Sequence, residues 1–202
     1  VYCFEPEPEG LATLHQKFDK DDSVTIIPSA LGSYARTADF YVCGQNTEMS
    51  SLLPRAEWLG RRYYRHEVKD TIKVKVTTLD HFLENEGLET VHLVKMDVQG
   101  GEREVLHGGA VSLMNQRIWA IYSEVLFVSL YEGAALFWEL CAQLDRYKYD
   151  VFDIYNLQRS WINRQLKYGD ALWVGKELRQ RLNAYPKDWL RSSLENRMCP
   201  QR

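Results

Sequence analysis

The sequence predicts an α/β fold built on a mainly parallel sheet whose last strand is antiparallel. Three observations carry this. Short β-branched apolar runs alternate with stretches whose apolar residues recur at helical spacing. Two of those runs end in an acid: Val1–Glu5 (VYCFE) and Val91–Asp97 (VHLVKMD). Open parallel sheets bind ligands at the carboxyl ends of their strands, so an acid there can meet a ribose or a reactive group. The link from Tyr155 to Asp170 is polar and holds helical spacing poorly. A parallel neighbour would need a long, usually helical crossover, so the link reads as a long hairpin and Ala171–Val174 as an antiparallel strand.

The elements follow in order. Val1–Glu5 is a buried strand, and Pro6 and Pro8 punctuate a turn. Leu11, Leu14, His15 and Phe18 then fall at i, i+3, i+4, i+7, one face of a helix. Val24–Ile27 is a second strand, leaving through Pro28-Ser29-Ala30. Asp39–Val42 and Lys73–Val76 are strands. The alternation of charged and β-branched residues in the latter marks a half-exposed strand. Thr78 is the N-cap of a short helix closed by Gly87. Val91–Val98 is the clearest strand. Gly100-Gly101 break it, and Glu102–His107 begins a helix with acids in its first turn. Ile118–Val125 is the next strand. Leu136, Phe137, Leu140, Cys141 and Leu144 mark an amphipathic helix, and Tyr149–Ile154 is a strand.

At 202 residues, 45% hydrophobic and 26% charged, the chain fits one domain with a sizeable core. A net charge of -3 argues against a general polyanion binder, so no nucleic-acid partner is expected. No stretch reaches the length needed to span a bilayer, and no membrane partner is expected. Cys3, Cys43, Cys141 and Cys199 are scattered, without a C-x-x-C pair, and read as mostly buried reduced thiols of a cytoplasmic protein. No paired histidine spacing supports a metal, and none is expected. The chain opens inside a strand on Val1, so a preceding piece is expected.

Several segments in order resemble the FkbM-type S-adenosylmethionine-dependent methyltransferases: VYCFEPEPE (Val1–Glu9), VTIIPSALGS (Val24–Ser33), SSLL (Ser50–Leu53), VTTLDHFL (Val76–Leu83) and VKMDVQGGEREVLHGG (Val94–Gly109). YSEVLF (Tyr122–Phe127) and YDVFDI (Tyr149–Ile154) look like later strands of the same family. The resemblance implies a Rossmann-like class I methyltransferase sheet, with the first strand and its glycine-rich loop lying upstream of Val1. It implies a methyltransferase domain over 1–175, followed by a C-terminal helical extension over 176–202.

The cofactor so implied is S-adenosyl-L-methionine, with Glu5, Pro6, Ser29, Ala30 and Asp97 binding it. Glu5 would accept hydrogen bonds from the ribose hydroxyls, and charge-assisted bonds of that kind are strong. A solvated turn acid is the plain alternative. Ser29 and Ala30 would leave room for adenine, or simply end a strand. Asp97 lies nearest the expected methyl group and is a candidate base, or a cap for the helix after Gly100. Glu124 sits late in an apolar strand, where an unpaired charge is costly, so it is either paired or open to the crevice. Asp97 and Glu124 are the catalytic candidates. Glu102 reads as a helix-start acid. At Gln99 many members of the family carry Glu.

The activity implied is O-methylation of a hydroxyl on a sugar, glycan or polyketide-like product, with that small-molecule or glycan acceptor as partner. A nicotinamide-dependent oxidoreductase competes, because Glu5 suits either ribose, and so does a catalytically idle binding or scaffold module. Two further segments stand apart. Arg61–His66 interleaves basic and aromatic residues and reads as a solvated hairpin before a phosphate or sugar contact. Beyond Lys176, Leu178, Leu182, Trp189, Leu190 and Leu194 mark an apolar face. It suits docking on its own domain before a homo-oligomer contact or a substrate lid.

Overall fold

The computed structural model describes residues 1–44, 47–57 and 68–184. The Arg61–His66 segment, Cys199 and the tail residues Trp189, Leu190 and Leu194 lie outside them.

Strand β1 (Tyr2–Phe4) pairs in parallel with β2 (Thr25–Ile27), and helix α1 (Pro8–Phe18) connects them. Pro8 opens α1, where its missing N–H costs nothing. A second sheet has the order β3-β5-β4: β3 (Ala30–Leu31), β4 (Arg36–Cys43) and β5 (Val68–Thr77). In β5 the valines Val74 and Val76 are buried while Lys73 and Lys75 are exposed, as the alternation predicts. Thr78 caps helix α2 (Leu79–Asn85) through the His81 amide at 3.1 Å, and Gly87 takes a positive φ of 61° behind it.

The largest sheet has the order β6-β7-β9-β8: β6 (Val91–Met96), β7 (Ile118–Leu126), β8 (Tyr149–Arg159) and β9 (Leu166–Gly175). Helices α3 (Glu102–Gly108) and α4 (Ala110–Met114) follow β6, and α5 (Phe137–Arg146) follows β7. The core packs Met96, Ile121, Val125 and Trp173 of this sheet against Val105 and Leu106 of α3, Leu113 of α4 and Leu140 and Leu144 of α5. Each such buried side chain contributes about 1.5–3 kcal/mol. Two N–H groups at the start of α4, those of Val111 and Ser112, reach the Asp80 carboxylate of α2 at 2.9 and 2.8 Å, so helix–helix registry rests on one acid.

β9 runs antiparallel to both of its neighbours, as the polar link predicts. The expectation of a mainly parallel sheet needs correction. The described strands form one two-stranded parallel sheet and two mixed sheets: β1–β2, β3–β5 and β6–β7 are parallel and β4–β5, β7–β9 and β8–β9 are antiparallel. The 155–170 link is itself mostly strand, so β8 and β9 extend toward each other and leave no room for a crossover. Ala30, read as a strand exit, instead begins β3. Helix α6 (Lys176–Asn183) starts directly from β9. It lies on the sheet through the Arg181 guanidinium, 4.7 Å from the Trp119 ring centre, and an Arg179–Asp150 ion pair.

Candidate active site

Two parallel strands end side by side at one edge of the largest sheet. Met96 of β6 pairs with Ser123 of β7, which sets Asp97 and Glu124 next to each other just past that pair. Gln99 joins them: its side-chain amide donates to the Asp97 carboxylate at 2.7 Å and to the Glu124 carboxylate at 3.2 Å. Across the sheet Glu124 stands opposite Asp170 of β9. Asp170 accepts from the Tyr122 hydroxyl at 2.9 Å and from the Asn156 amide at 2.6 Å. Like charges in directly opposed positions repel, so this edge concentrates negative charge.

The loop that carries Gln99 is fixed from three sides. Gln99 has a φ of 53° and Gly100 a φ of 94°. A left-handed side-chain-bearing residue persists only where its surroundings hold it. A Cβ on Gly100 would lie 3.0 Å from Ala134 and 3.1 Å from Tyr131. Glu102 is buried at 2% exposure and accepts from the amides of Val98 at 3.2 Å and Gly100 at 3.4 Å. It stands in the first turn of α3, as its position predicts, and its burial lets it pin the loop as well. The Ser51 hydroxyl donates to the Gln99 carbonyl at 2.7 Å, and the Tyr131 hydroxyl donates to the Gln99 side-chain oxygen. Arg55 in turn donates to that hydroxyl at 3.3 Å. Asp97 faces Lys95 at 3.6 Å with about half its side chain exposed.

The electrostatics follow from this packing. Burial raises the Glu124 carboxyl to about 7, with the charges of Asp97, Glu102 and Asp170 adding to it and the Gln99 hydrogen bond opposing it. Burial likewise raises Glu102 to about 7 against the pull of the amides it accepts from. Burial also drives the Tyr131 phenol upward, so it stays a neutral donor. A carboxyl near 7 beside a more exposed carboxylate is the environment suited to taking a proton at neutral pH.

The second edge belongs to β1. Glu5 lies just past the strand, its amide donating to the Ile27 carbonyl at 3.1 Å. Its carboxylate accepts from the Glu7 amide at 2.8 Å and packs against Gly10, where an added Cβ would lie 2.6 Å from the Glu5 carboxyl carbon. One oxygen is thus used to start α1. Burial raises the Glu5 carboxyl, and the Glu7 amide pulls it back. Pro6 is half-buried between β1 and α1, while Ser29 and Ala30 are each 8% exposed. The Ser29 amide donates to the Ile27 carbonyl at 2.8 Å.

The SSLL segment joins the two edges. Ser50 hydrogen-bonds the buried Glu7 carboxyl and accepts from the Cys43 amide at 3.1 Å, while its neighbour Ser51 holds Gln99. Sequence reasoning missed Glu7, Tyr131, Asp170 and the linking role of the serines. Of these only Asp170, an acid just before an apolar strand, carried a local signal.

The chain is thus an α/β protein with a carboxylate-rich edge at the ends of adjacent parallel strands. The family model "Methyltransferase FkbM domain" matches residues 1–151, and the chain belongs to that family. The 2-O-methyltransferase NoeI of Sinorhizobium fredii is 28% identical over 138 residues, which cover 66% of this chain and 56% of NoeI; the chain spans about half the length of that relative. A crystal structure of methyltransferase FkbM from Methylobacillus flagellatus KT aligns with a TM-score of 0.49 at 13% identity, over 86% of this chain and 36% of that one.

Proposed function

We propose that the protein is an S-adenosylmethionine-dependent O-methyltransferase of Rossmann-like class I type, acting on a hydroxyl of a sugar, glycan or polyketide-like acceptor. The observation that carries this is the Asp97–Gln99–Glu124 array: two carboxyls at adjacent strand ends, one of them near 7, joined by one amide. Residues 1–175 are read as the methyltransferase domain and 176–202 as its helical extension. The antiparallel β9 runs against the nicotinamide alternative.

The donor set fits the cofactor. The clustering of Asp97, Glu124 and Asp170, with Lys95 the one cation facing Asp97 among the described residues, suits a cationic group, and Glu5 retains a carboxylate oxygen for hydroxyl donors. When bound, S-adenosylmethionine supplies an electrophilic methyl on a positively charged sulfur and leaves as a neutral thioether. Asp97 and Glu5 would hold it. Glu124, lying inward of Asp97, takes the proton from the acceptor hydroxyl as the new oxygen–carbon bond forms. Gln99 keeps the two carboxyls from swinging apart and leaves Glu124 an oxygen for that proton. Tyr131 and Ser51 hold Gln99. Placing the acceptor against the methyl supplies most of the rate, with effective molarities that can reach about 10⁵ M or more.

Calorimetric titration of the protein with S-adenosylmethionine tests the cofactor assignment, with Glu5→Ala beside it. Charge-assisted hydrogen bonds are worth about 1.5–3 kcal/mol, so binding should weaken about 10- to 100-fold. Binding that ignores the substitution removes Glu5 from the site, and no heat at all rejects the cofactor.

A further inference from the structure

We propose that the tip of the β8–β9 hairpin is a peripheral anchor for an anionic phospholipid surface. The strands carry this tip past the sheet edge that bears the acids. Leu126, the last residue of β7, pairs with Tyr168, but the hairpin pairing continues to Arg159 and Leu166 and turns through 160–165. Leu166 is four residues from Asp170, about 14 Å along a strand. The tip therefore cannot touch a small acceptor held at Glu124, but it can meet an extended surface lying over that edge.

Its composition suits lipid. Trp161 and Ile162 occupy the turn side by side at 81% and 57% exposure, the most exposed adjacent pair of large apolar side chains among the described residues. Arg159, Arg164 and Lys167 flank them, and no Asp or Glu occurs between Asp153 and Asp170, although the whole chain carries -3. An aromatic beside an aliphatic, ringed by cations, is the pattern of residues that settle at a charged bilayer interface.

The turn's backbone is also prepared for a less polar medium. The Ser160 amide donates to the Gln165 carbonyl at 2.7 Å, and the Arg164 amide to the Ser160 carbonyl at 2.9 Å. The Ile162 amide reaches the Ser160 hydroxyl at 3.2 Å, and the Gln165 amide the Asn163 side chain at 3.1 Å. Donors satisfied within the turn lose little when water is withdrawn. No described helix is long and apolar enough to cross a membrane; surface attachment needs none. The sequence expectation of no membrane partner rested on the missing span and the overall charge, whereas the local charge of the tip points the other way.

Vesicle flotation of the protein decides it, using phosphatidylcholine vesicles with and without phosphatidylglycerol. Basic residues near an anionic surface contribute about 1 kcal/mol each, so three of them predict about 100-fold tighter partitioning onto the anionic vesicles. Combining Trp161→Ser with Ile162→Ser should lower that partitioning about 10-fold or more, and Arg159→Ala with Arg164→Ala should lower it comparably, with melting temperatures little changed because all four side chains are exposed and the Arg159 hydrogen bond to the Arg164 carbonyl, at 3.3 Å, is a surface contact. Equal partitioning onto both vesicles overturns the proposal. So does anionic binding that survives both double variants, which would belong to another segment. Dissociation of a dimer by the Trp161/Ile162 variant, read by sedimentation, would make the tip a contact between copies instead. Cofactor binding does not enter any of these readings, so they stand apart from the methyltransferase assignment.

Discussion

The two acid-bearing edges are built by opposite means. At the β6–β7 edge the acids are drawn together from distant parts of the chain, and a neutral amide, Gln99, bridges two of them and holds them in place. At the β1 edge Glu5 is held by its own next turn, through the Glu7 amide and the bare face of Gly10. The first arrangement buries a carboxyl among like charges, and burial above all, with those charges adding to it, lifts it to about 7. The second presents one fixed carboxylate oxygen. A site that moves a proton and a site that grips hydroxyls need those different properties.

Substitutions separate the two edges by what they change. Glu124→Gln keeps the shape and removes the base, so turnover of a hydroxyl acceptor should fall about 10²- to 10⁴-fold while cofactor affinity stays within a few-fold. Single-turnover transfer of a labelled methyl beside calorimetry measures both. Glu5→Ala should do the converse: affinity falls as stated above, and turnover at saturating cofactor changes far less. If both substitutions changed affinity alone, the division of labour between the edges would be wrong.

Glu102 bears on stability rather than chemistry. Its folded value of about 7 exceeds its ordinary 4.5, so the folded chain holds the proton more tightly than the unfolded one. Stability should fall as pH rises from about 4.5 to about 7 and then level off. Glu102→Gln should remove one share of that slope and raise stability above pH 7 by roughly 1–3 kcal/mol, as read from urea unfolding at two pH values, leaving the share of Glu124, whose carboxyl is likewise raised to about 7. A slope unchanged in the variant would assign the whole effect elsewhere. The smallest expected effect is at Gln99. Gln99→Glu adds a third carboxylate beside Asp97 and Glu124 and removes the donor that lowers Glu124. The acidic limb of the pH–rate profile should then move to higher pH; a shift to lower pH would contradict the bridging role.

What could be read in advance divides along the same line. The strand-end acids, the Thr78 cap and the β8–β9 hairpin were readable because each depends on residues within one turn or one strand. The site's supports were not, since Ser51–Gln99, Tyr131–Gln99 and Glu124–Asp170 join residues 48, 32 and 46 positions apart. Gln99 itself was noticed only for not being Glu. Nothing in its neighbours reveals that an amide, able to donate to both carboxylates, is what this crowded edge requires. Glu102 does stand in the first turn of α3, as its position predicts; its burial is not legible, because it depends on how α3 meets the 98–101 loop.

The pH dependence of methyl transfer, measured in parallel for the native protein and Glu124→Gln, probes the assignment of the reacting edge most directly. The native profile should rise through an apparent pKa near 7, and that limb should vanish in the variant. An identical limb in both proteins would place the proton acceptor elsewhere and remove the Asp97–Gln99–Glu124 array from the reaction.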